Sequence, residues 1–154
     1  MFDPALDMSM RTALSAPALW VAITDPAHLA AWWPDAAIDA RVGGAIDVGE
    51  LPYKKRRTRR ATGRIDEAEA GERLGFSWRT KGRDATTRVE IHVSQAKKKS
   101  KIRVVETGFD RHDYSAVEVE RMRDFWRDRL TALDAYVERP KHAEALERAG
   151  RRAS

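Results

Sequence analysis

The stretch from Ser115 to Val137, SAVEVERMRDFWRDRLTALDAYV, decides the fold of this chain. Its apolar residues recur at steps of three and four, the period of an α-helix with one buried face. These residues are Val119, Met122, Trp126, Leu130, Leu133 and Val137. Ser115 and Glu118 have the spacing of a capping box, so the helix is predicted to begin just after Ser115, and Pro140 ends or kinks it.

The residues before this helix have the period of β-strands. Leu6 to Leu14 alternates apolar and polar residues, and short alternating segments between Ile38 and Thr107 are separated by turns. We count about seven strands, joined as sequential hairpins. After the first strand, Pro17 and Pro26 predict two short helices, the second of them N-capped by Asp25.

This order of elements predicts an α+β fold. Helices do not alternate with strands, which excludes a doubly wound sheet. The long helix must therefore cover the buried face of an antiparallel sheet. Glu118, Glu120, Asp124 and Asp128 are predicted on the solvated face of that helix.

The composition narrows the class of protein. A length of 154 residues is enough for one domain with its own core. The absence of cysteine excludes a disulfide scaffold, a thiol nucleophile and thiolate metal sites, and it suits a reducing cytoplasm. The first residues lack the basic and apolar regions of a secretory signal, and no apolar run approaches the roughly 20 residues that span a bilayer. A soluble, cytoplasmic protein is expected.

The net charge of +5 comes from two short runs. Lys54 to Arg60 contains six bases and Lys97 to Lys101 contains four, and neither run contains an acid. Outside these runs the acids outnumber the bases. The basic character is therefore local and does not describe the whole surface.

Several motifs, taken in order, resemble one family. The longest runs from Ala16 to Pro34, APALWVAITDPAHLAAWWP. Shorter ones follow: Arg41-Val42-Gly43-Gly44, Gly63-Arg64-Ile65, Glu72 to Trp78, Thr87 to Ile91 and Glu106 to Phe109. Together they resemble the SRPBCC (START-like) superfamily, in particular its branch of homologues of the activator of heat shock protein 90 ATPase.

The resemblance implies a helix-grip fold. In it a curved seven-stranded antiparallel sheet wraps around the long C-terminal helix and leaves a hydrophobic pocket between them. Residues 1–139 are predicted to form this single domain. Residues 140–154 are predicted to be a polar, basic tail, since Leu146 gives them little to bury. The branch usually has Gly-Trp where this chain has Phe125-Trp126, so Phe125 could fill part of the pocket.

The predicted pocket lies between the sheet and the helix. An apolar cleft there suits a small ligand, but the same residues would also serve as an ordinary packed core, and both interpretations stay open. The predicted lining residues are Trp33, Ile46, Val48, Phe76, Trp78, Val89, Ile91, Val104, Glu106, Met122, Trp126 and Leu130.

Two features near this pocket carry separate hypotheses. Two adjacent rings on a helix cannot both point inward, so either Trp32 or Trp33 is predicted at the surface or entrance, as a lid or partner contact. The alternative is that both wedge the short helices against the sheet. Glu106 lies in phase with Ile102 and Val104. Inside the cavity, desolvation would raise the pKa of Glu106 and make it an acid or base candidate. Edge exposure or pairing with an arginine is the alternative.

The first basic run is predicted at the mouth of the pocket. Successive connections of an antiparallel meander lie at alternating ends, so the two basic runs should lie at opposite ends of the sheet. The turn with Lys81 and Arg83 shares the end of the first run, where the pocket opens in the family. The predicted basic pocket-mouth loop comprises Lys54, Lys55, Arg56, Arg57, Arg59, Arg60, Lys81 and Arg83. It would attract an anionic ligand, an acidic partner or phosphates, or it is a set of solvated hairpin tips.

The expected function is binding of a small apolar ligand, lipid-, aromatic- or polyketide-like, between sheet and helix. The alternative is a protein-interaction or chaperone-regulating module that binds an acidic partner through the basic loops. Nucleic-acid binding ranks below both, because only Tyr53 accompanies the basic runs. The histidines are scattered, and no nucleophile, dinucleotide or metal-ligand spacing occurs, so no catalytic set, cofactor or metal is predicted.

Overall fold

The computed structural model describes residues 5–54, 57–84, 86–111 and 114–153. Its strands are β1 (Leu6–Thr12), β2 (Ala36–Ile38), β3 (Ala45–Pro52), β4 (Thr58–Glu69), β5 (Arg73–Thr80), β6 (Thr87–Ala96) and β7 (Lys99–Thr107). Its α-helices are α1 (Ala16–Thr24), α2 (Pro26–Trp32), α3 (Ala116–Glu138) and α4 (Pro140–Ala153). In the described ranges no helix is long and apolar enough to cross a membrane.

The strands form one curved antiparallel sheet in the order β1-β7-β6-β5-β4-β3-β2. The pairing places Glu106 of β7 beside Leu6 of β1 on one side and Val89 of β6 on the other. Alternate residues of the central strands are buried, as period-two patterning requires. The predicted α+β helix-grip fold is confirmed, with α3 as the helix that the sheet covers.

The long helix begins where its capping box predicts. The Ser115 hydroxyl accepts the Glu118 N–H at 3.1 Å, and Glu118 Oε1 accepts the Ser115 N–H at 3.4 Å. The buried residues of α3 are the six predicted from its periodicity: Val119, Met122, Trp126, Leu130, Leu133 and Val137. The helix therefore turns one apolar face inward along its full length.

The two short helices are capped by Ser15 and Asp25; the sequence predicted Asp25, and it left Ser15 and Ala16 open for the first helix. Ser15 accepts the Ala18 N–H at 3.3 Å, and Asp25 accepts the His28 N–H at 3.2 Å. β1 stops at Thr12, two residues earlier than predicted, because Thr12 Oγ1 accepts the Leu14 N–H at 2.8 Å and turns the chain.

The prediction of a polar tail after residue 139 is wrong, since residues 140–153 form α4. Leu146 is fully buried, and Gly150 lies so close to α1 that a Cβ there would be 2.8 Å from the Ala18 nitrogen. The Glu147 carboxylate accepts the Ser15 N–H at 3.0 Å and the Ser15 hydroxyl at 2.6 Å. These contacts, with the stacking of His142 on Tyr136, hold the helix on the domain. Few of them involve large apolar residues, which is why the sequence did not predict the packing.

Candidate functional site

The predicted pocket residues are all buried, but they enclose almost no empty space. The cavity between the sheet, α2 and α3 has a volume of about 20 Å³. That volume is enough for about one water molecule. Its walls include Ile91, Val104, Trp126 and Leu130. The grip is therefore closed, and the residues that would line a ligand pocket pack as a core.

Aromatic rings fill the space that the resemblance assigns to a pocket. Trp33 meets Trp126 and Phe125 edge to face, with centroid distances of 5.8 and 5.9 Å. Trp126 in turn stacks on Trp78, at 5.7 Å with 20° between the ring planes. Such contacts add roughly 0.5–1.5 kcal/mol each beyond area burial. Phe125, which replaces the family's glycine, is half-buried and packs against Trp33 rather than inside the cavity.

The prediction that one ring of the Trp32-Trp33 pair lies at the surface is wrong. Both side chains are buried, and Trp32 donates its indole N–H to the Ala22 carbonyl at 2.9 Å. α2 ends at Trp32, and Trp33 follows it with a non-helical backbone, so the rule for adjacent helical residues does not apply. Both rings wedge α2 against the core, which was the alternative interpretation.

Glu106 is a buried carboxyl at the centre of this aromatic layer. Its Oε2 accepts the Thr87 hydroxyl at 2.6 Å and the Trp78 indole N–H at 2.8 Å. Its Oε1 accepts the Trp126 indole N–H at 2.8 Å. Edge exposure and arginine pairing are therefore both wrong for Glu106. Thr87 was not singled out from the sequence, although it is in phase with the inward-facing Val89.

Burial raises the pKa of Glu106 above its ordinary value of 4.5, and the three hydrogen bonds from Thr87, Trp126 and Trp78 only partly oppose that rise. All three donors are neutral groups. Glu106 therefore favours its protonated form more than a free glutamate does, and its hydrogen-bond donors are fixed in advance for either state. In either protonation state, Glu106 places a polar group in the apolar interior of the grip.

A second, open cleft lies on the outer side of the aromatic layer, between α3 and the ends of α2 and β3. Its volume is about 430 Å³, within the range of small-molecule sites. Its apolar residues are Trp33, Pro34, Pro52 and Phe125, and its charged ones are Asp35, Glu50, Arg121, Asp124, Asp128 and Arg129. Sequence patterning did not reveal this cleft, because it joins residues from three separate elements.

Trp33 and Arg129 belong to the walls of both the cleft and the small cavity. Arg129 donates to the Trp32 carbonyl at 3.1 Å and so fixes the end of α2 beside α3. Arg121, also in the cleft wall, donates to the carbonyls of Tyr53 and Arg57. Only this narrow layer of side chains separates the open cleft from the interior of the grip.

The residues of the predicted basic pocket-mouth loop have different environments. Lys54, Arg57 and Lys81 are exposed, and Arg57 adjoins the cleft through its carbonyl's bond to Arg121. Lys55 and Arg56 lie outside the described residues. Arg60 is paired with Asp47 on the surface.

Two arginines of this set, Arg59 and Arg83, pack against an aromatic ring instead of extending into solvent. Arg59 lies over the Tyr53 ring at 4.8 Å, and Arg83 lies over the same ring at 5.2 Å. Arg83 is also paired with Glu118, so the prediction of a solvated Glu118 is wrong. The second basic run turns at Lys97, which has a φ of 58°, and the meander places it at the opposite end of the sheet as predicted.

The histidines have structural partners where they are described. His28 contacts the Tyr136 hydroxyl at 2.6 Å, and His142 stacks on the same ring at 4.0 Å. Within the described ranges no group of three or more His, Asp or Glu side chains is arranged to hold a metal ion. His112 lies outside those ranges.

Comparison with solved structures finds the same fold in proteins of known identity. DynU16, a putative protein of the dynemicin biosynthetic locus, has 20% identity and a TM-score of 0.73, and the match covers 89% of this chain and 48% of that one. CalU16 from Micromonospora echinospora has 21% identity and a TM-score of 0.69, with 96% and 84% covered. PFC0360w, an HSP90 activator from Plasmodium falciparum, has 15% identity and a TM-score of 0.70, with 90% and 99% covered.

These likenesses show the fold alone, since each identity is low, and this chain spans about half the length of DynU16. A search of curated proteins gave no match. The family described as "Activator of Hsp90 ATPase homolog 1-like protein" matches residues 13–138, which is most of the chain and stops before α4. The chain therefore belongs to the activator of Hsp90 ATPase homolog 1-like family, in the SRPBCC superfamily.

Proposed function

We propose that this protein binds a small, largely apolar ligand between its sheet and α3, and that the ligand enters through the outer cleft. The observation that carries the proposal is the shared wall: the 430 Å³ cleft and the interior cavity are separated by Trp33 and Arg129. A ligand that stacks on Phe125 and displaces Trp33 would pass directly from the cleft into the apolar grip.

The closed interior sets a condition on this function. A cavity of about 20 Å³ holds no ligand larger than water. Binding therefore requires Trp33 or Phe125 to change rotamer, or α3 to move from the sheet. Trp33 is suited to such a change because it is the C-cap of α2 and has a non-helical backbone; its N–H still donates to the Leu29 carbonyl at 2.8 Å, so the backbone stays anchored while the ring changes rotamer.

Glu106 supplies the specificity expected of such a site. Small-molecule pockets are mainly apolar and contain a few fixed polar groups. Among the described residues, the hydrogen-bond donors to this buried carboxyl are all neutral, an arrangement that costs stability and so favours a role in recognition over a role in packing. The ligand class is thus an aromatic, lipid- or polyketide-like body with one hydrogen-bonding group.

The test is native mass spectrometry and thermal shift over a panel of fatty acids, aromatic acids and polycyclic phenols. Phe125→Ala widens the entrance and is expected to speed binding of any ligand that the wild type accepts. Tyr136→Ala is the matched control, because it also truncates a half-buried ring on α3 but lies against His28, away from the cleft. A protein that shows no added mass and no thermal shift with any compound would refute the proposal.

A second candidate function is regulation of a chaperone or another protein through the basic pocket-mouth loop. It is supported by the exposed Lys54, Arg57 and Lys81 at one end of the sheet. Neutralising these three residues should weaken binding to a purified Hsp90-type chaperone, most strongly at low salt. Neutralising Lys97 and Lys98 at the opposite end is the control and should have no effect. Equal loss in both variants, or no binding by the wild type, would exclude this function.

A further inference from the structure

A buried ion pair closes the end of the grip nearest Glu106. Arg83, in the turn between β5 and β6, is paired with Glu118 in the first turn of α3. The side chains are only 9% and 17% exposed. Arg83 and Glu118 are far apart in sequence, so chain connectivity does not require this contact. It joins the sheet directly to the beginning of the long helix.

Two tyrosine rings enclose the guanidinium of this pair. Arg83 lies 4.0 Å above the Tyr114 ring and 5.2 Å from the Tyr53 ring. The Tyr53 hydroxyl reaches the Gly82 carbonyl at 3.4 Å, and a Cβ at Gly82 would come within 2.8 Å of that hydroxyl. Glycine is favoured at this position because its φ is +94°, and the Tyr53 hydroxyl leaves little room for a side chain there. A planar cation between two rings is a contact that arginine makes and lysine does not reproduce.

This cluster lies directly above the Glu106 site. The two strands that flank the Arg83 turn carry Trp78 and Thr87, both of which donate to Glu106. Glu118 is eight residues before Trp126 on the same face of α3, and Trp126 is the third donor. Burial raises the pKa of Tyr114, Arg83 opposes that rise and Glu106 adds to it, as expected for a ring between the two.

We propose that Arg83, Glu118, Tyr53 and Tyr114 form a latch that holds the first turns of α3 on the sheet and controls access to Glu106. The structure shows this ion pair closed and held by aromatic faces. Such a pair suits a latch because hydration of both partners when the turn moves away would offset part of the cost of opening it. How opening of the latch affects a ligand that enters past Trp33 rests on the proposed function, but the latch itself can be tested without a ligand.

A substitution at Glu118 can remove the ion pair of the latch without removing the N-terminal cap of α3. One oxygen, Oε1, completes the capping box with Ser115, and the other, Oε2, pairs with Arg83. Glutamine is also a capping-box residue, so Glu118→Gln keeps the cap and removes the ion pair. Arg83→Gln removes the same pair from the other side.

The test measures indole N–H exchange with D₂O by NMR. Trp78 and Trp126 report on the Glu106 site, and Trp32, which lines the same cavity as Trp126 but donates to the Ala22 carbonyl of α1, reports on an indole held by a different partner. Arg83→Gln and Glu118→Gln should each speed exchange at Trp78 and Trp126 by at least about tenfold, with Trp32 unchanged, because breaking a buried pair costs more than the 1.4 kcal/mol of a tenfold change. The double variant should add little to either single one.

Arg60→Gln is the matched control, since it removes an exposed pair with Asp47 on the neighbouring strand and should change no indole. Equal acceleration at all three indoles would show global loosening and overturn the latch, and so would unchanged exchange at Trp78 and Trp126. For a ligand that the wild type binds, the latch variants should raise association and dissociation rates together. Absence of any ligand would refute the proposed function and leave the exchange result standing.

Discussion

Replacing Trp126 by phenylalanine removes the single hydrogen bond to Glu106 Oε1 and keeps an aromatic ring in the core. Trp32→Phe is the matched substitution: it also truncates a buried indole, but its N–H donates to a backbone carbonyl at 2.9 Å. The loss of ring volume is similar in both variants. The difference between their free energies of unfolding therefore measures how much more the hydrogen bond to the Glu106 carboxyl contributes than a hydrogen bond to a backbone carbonyl.

The expected magnitude follows from the two partners. A hydrogen bond to a charged group contributes roughly 1.5–3 kcal/mol, and a neutral one roughly 0.5–1.5 kcal/mol. Where Glu106 is ionised, Trp126→Phe should thus destabilise the protein by about 1–2 kcal/mol more than Trp32→Phe. Where Glu106 is protonated, Trp126 donates to a neutral acid and the two penalties should be alike.

The sign of the pH dependence follows from the raised pKa of Glu106. Its folded state favours the proton, so its contribution to stability is complete below the unfolded pKa and is lost as pH rises through the folded pKa. Removing a donor raises the folded pKa further. The extra penalty of Trp126→Phe should therefore grow with pH as Glu106 ionises.

Urea unfolding followed by far-ultraviolet circular dichroism, from about pH 5 to pH 9, measures this difference without relying on tryptophan emission. In a Glu106→Gln background the extra penalty and its pH dependence should both disappear. An extra penalty that falls as pH rises, or one that persists in the Glu106→Gln background, would refute the reasoning that Glu106 is a desolvated acid held by indole donors.

Three further predictions concern the rest of the fold. Gly150→Ala should destabilise the protein by roughly 1–3 kcal/mol through overpacking against Ala18, even though alanine favours the helical backbone more than glycine does. Thermal unfolding measures this effect, and a stabilised variant would show that α4 does not pack there. Ser15→Ala should cost about 1 kcal/mol in urea unfolding, because it removes the α1 cap and a hydroxyl bond to α4, and no change would contradict both contacts. Asp7→Asn should lose a small amount of stability at neutral pH, because Arg103 lowers the pKa of Asp7. That loss should disappear as pH falls through this lowered pKa. A loss that persists in acid would contradict the pairing.

Local patterns predicted the elements of this fold. The capping box at Ser115, the N-cap Asp25 and the alternation of Val89, Ile91 and Val93 are each readable within a few residues, and the structure places them as predicted. The expectation that Phe125 could fill part of the pocket was only indirectly useful, since Phe125 lines the outer cleft and packs on Trp33 and is not among the residues that line the cavity.

Contacts between distant residues could not be predicted in this way. Glu106 finds its donors on β5, β6 and α3, and Arg83 finds Glu118 across 35 positions. α4 seemed unable to pack because one leucine is a weak signal, yet Leu146 is fully buried and Gly150 closely approaches α1. The prediction that one ring of the Trp32-Trp33 pair lies at the surface failed because α2 ends at Trp32, so the two residues are not both helical and both rings are buried.

The measurement that tests ligand binding between the sheet and α3 most directly is an NMR titration of the five indole N–H signals with the compound panel. Trp33 and Trp126 line the cavity, and Trp20 on α1 lies outside both its walls and those of the cleft. At least one apolar compound should shift the Trp33 and Trp126 signals in a saturable way and leave Trp20 unchanged. If no compound moves Trp33 and Trp126, or if all five signals shift without saturation, the grip of this protein is a closed core and the proposed function is wrong.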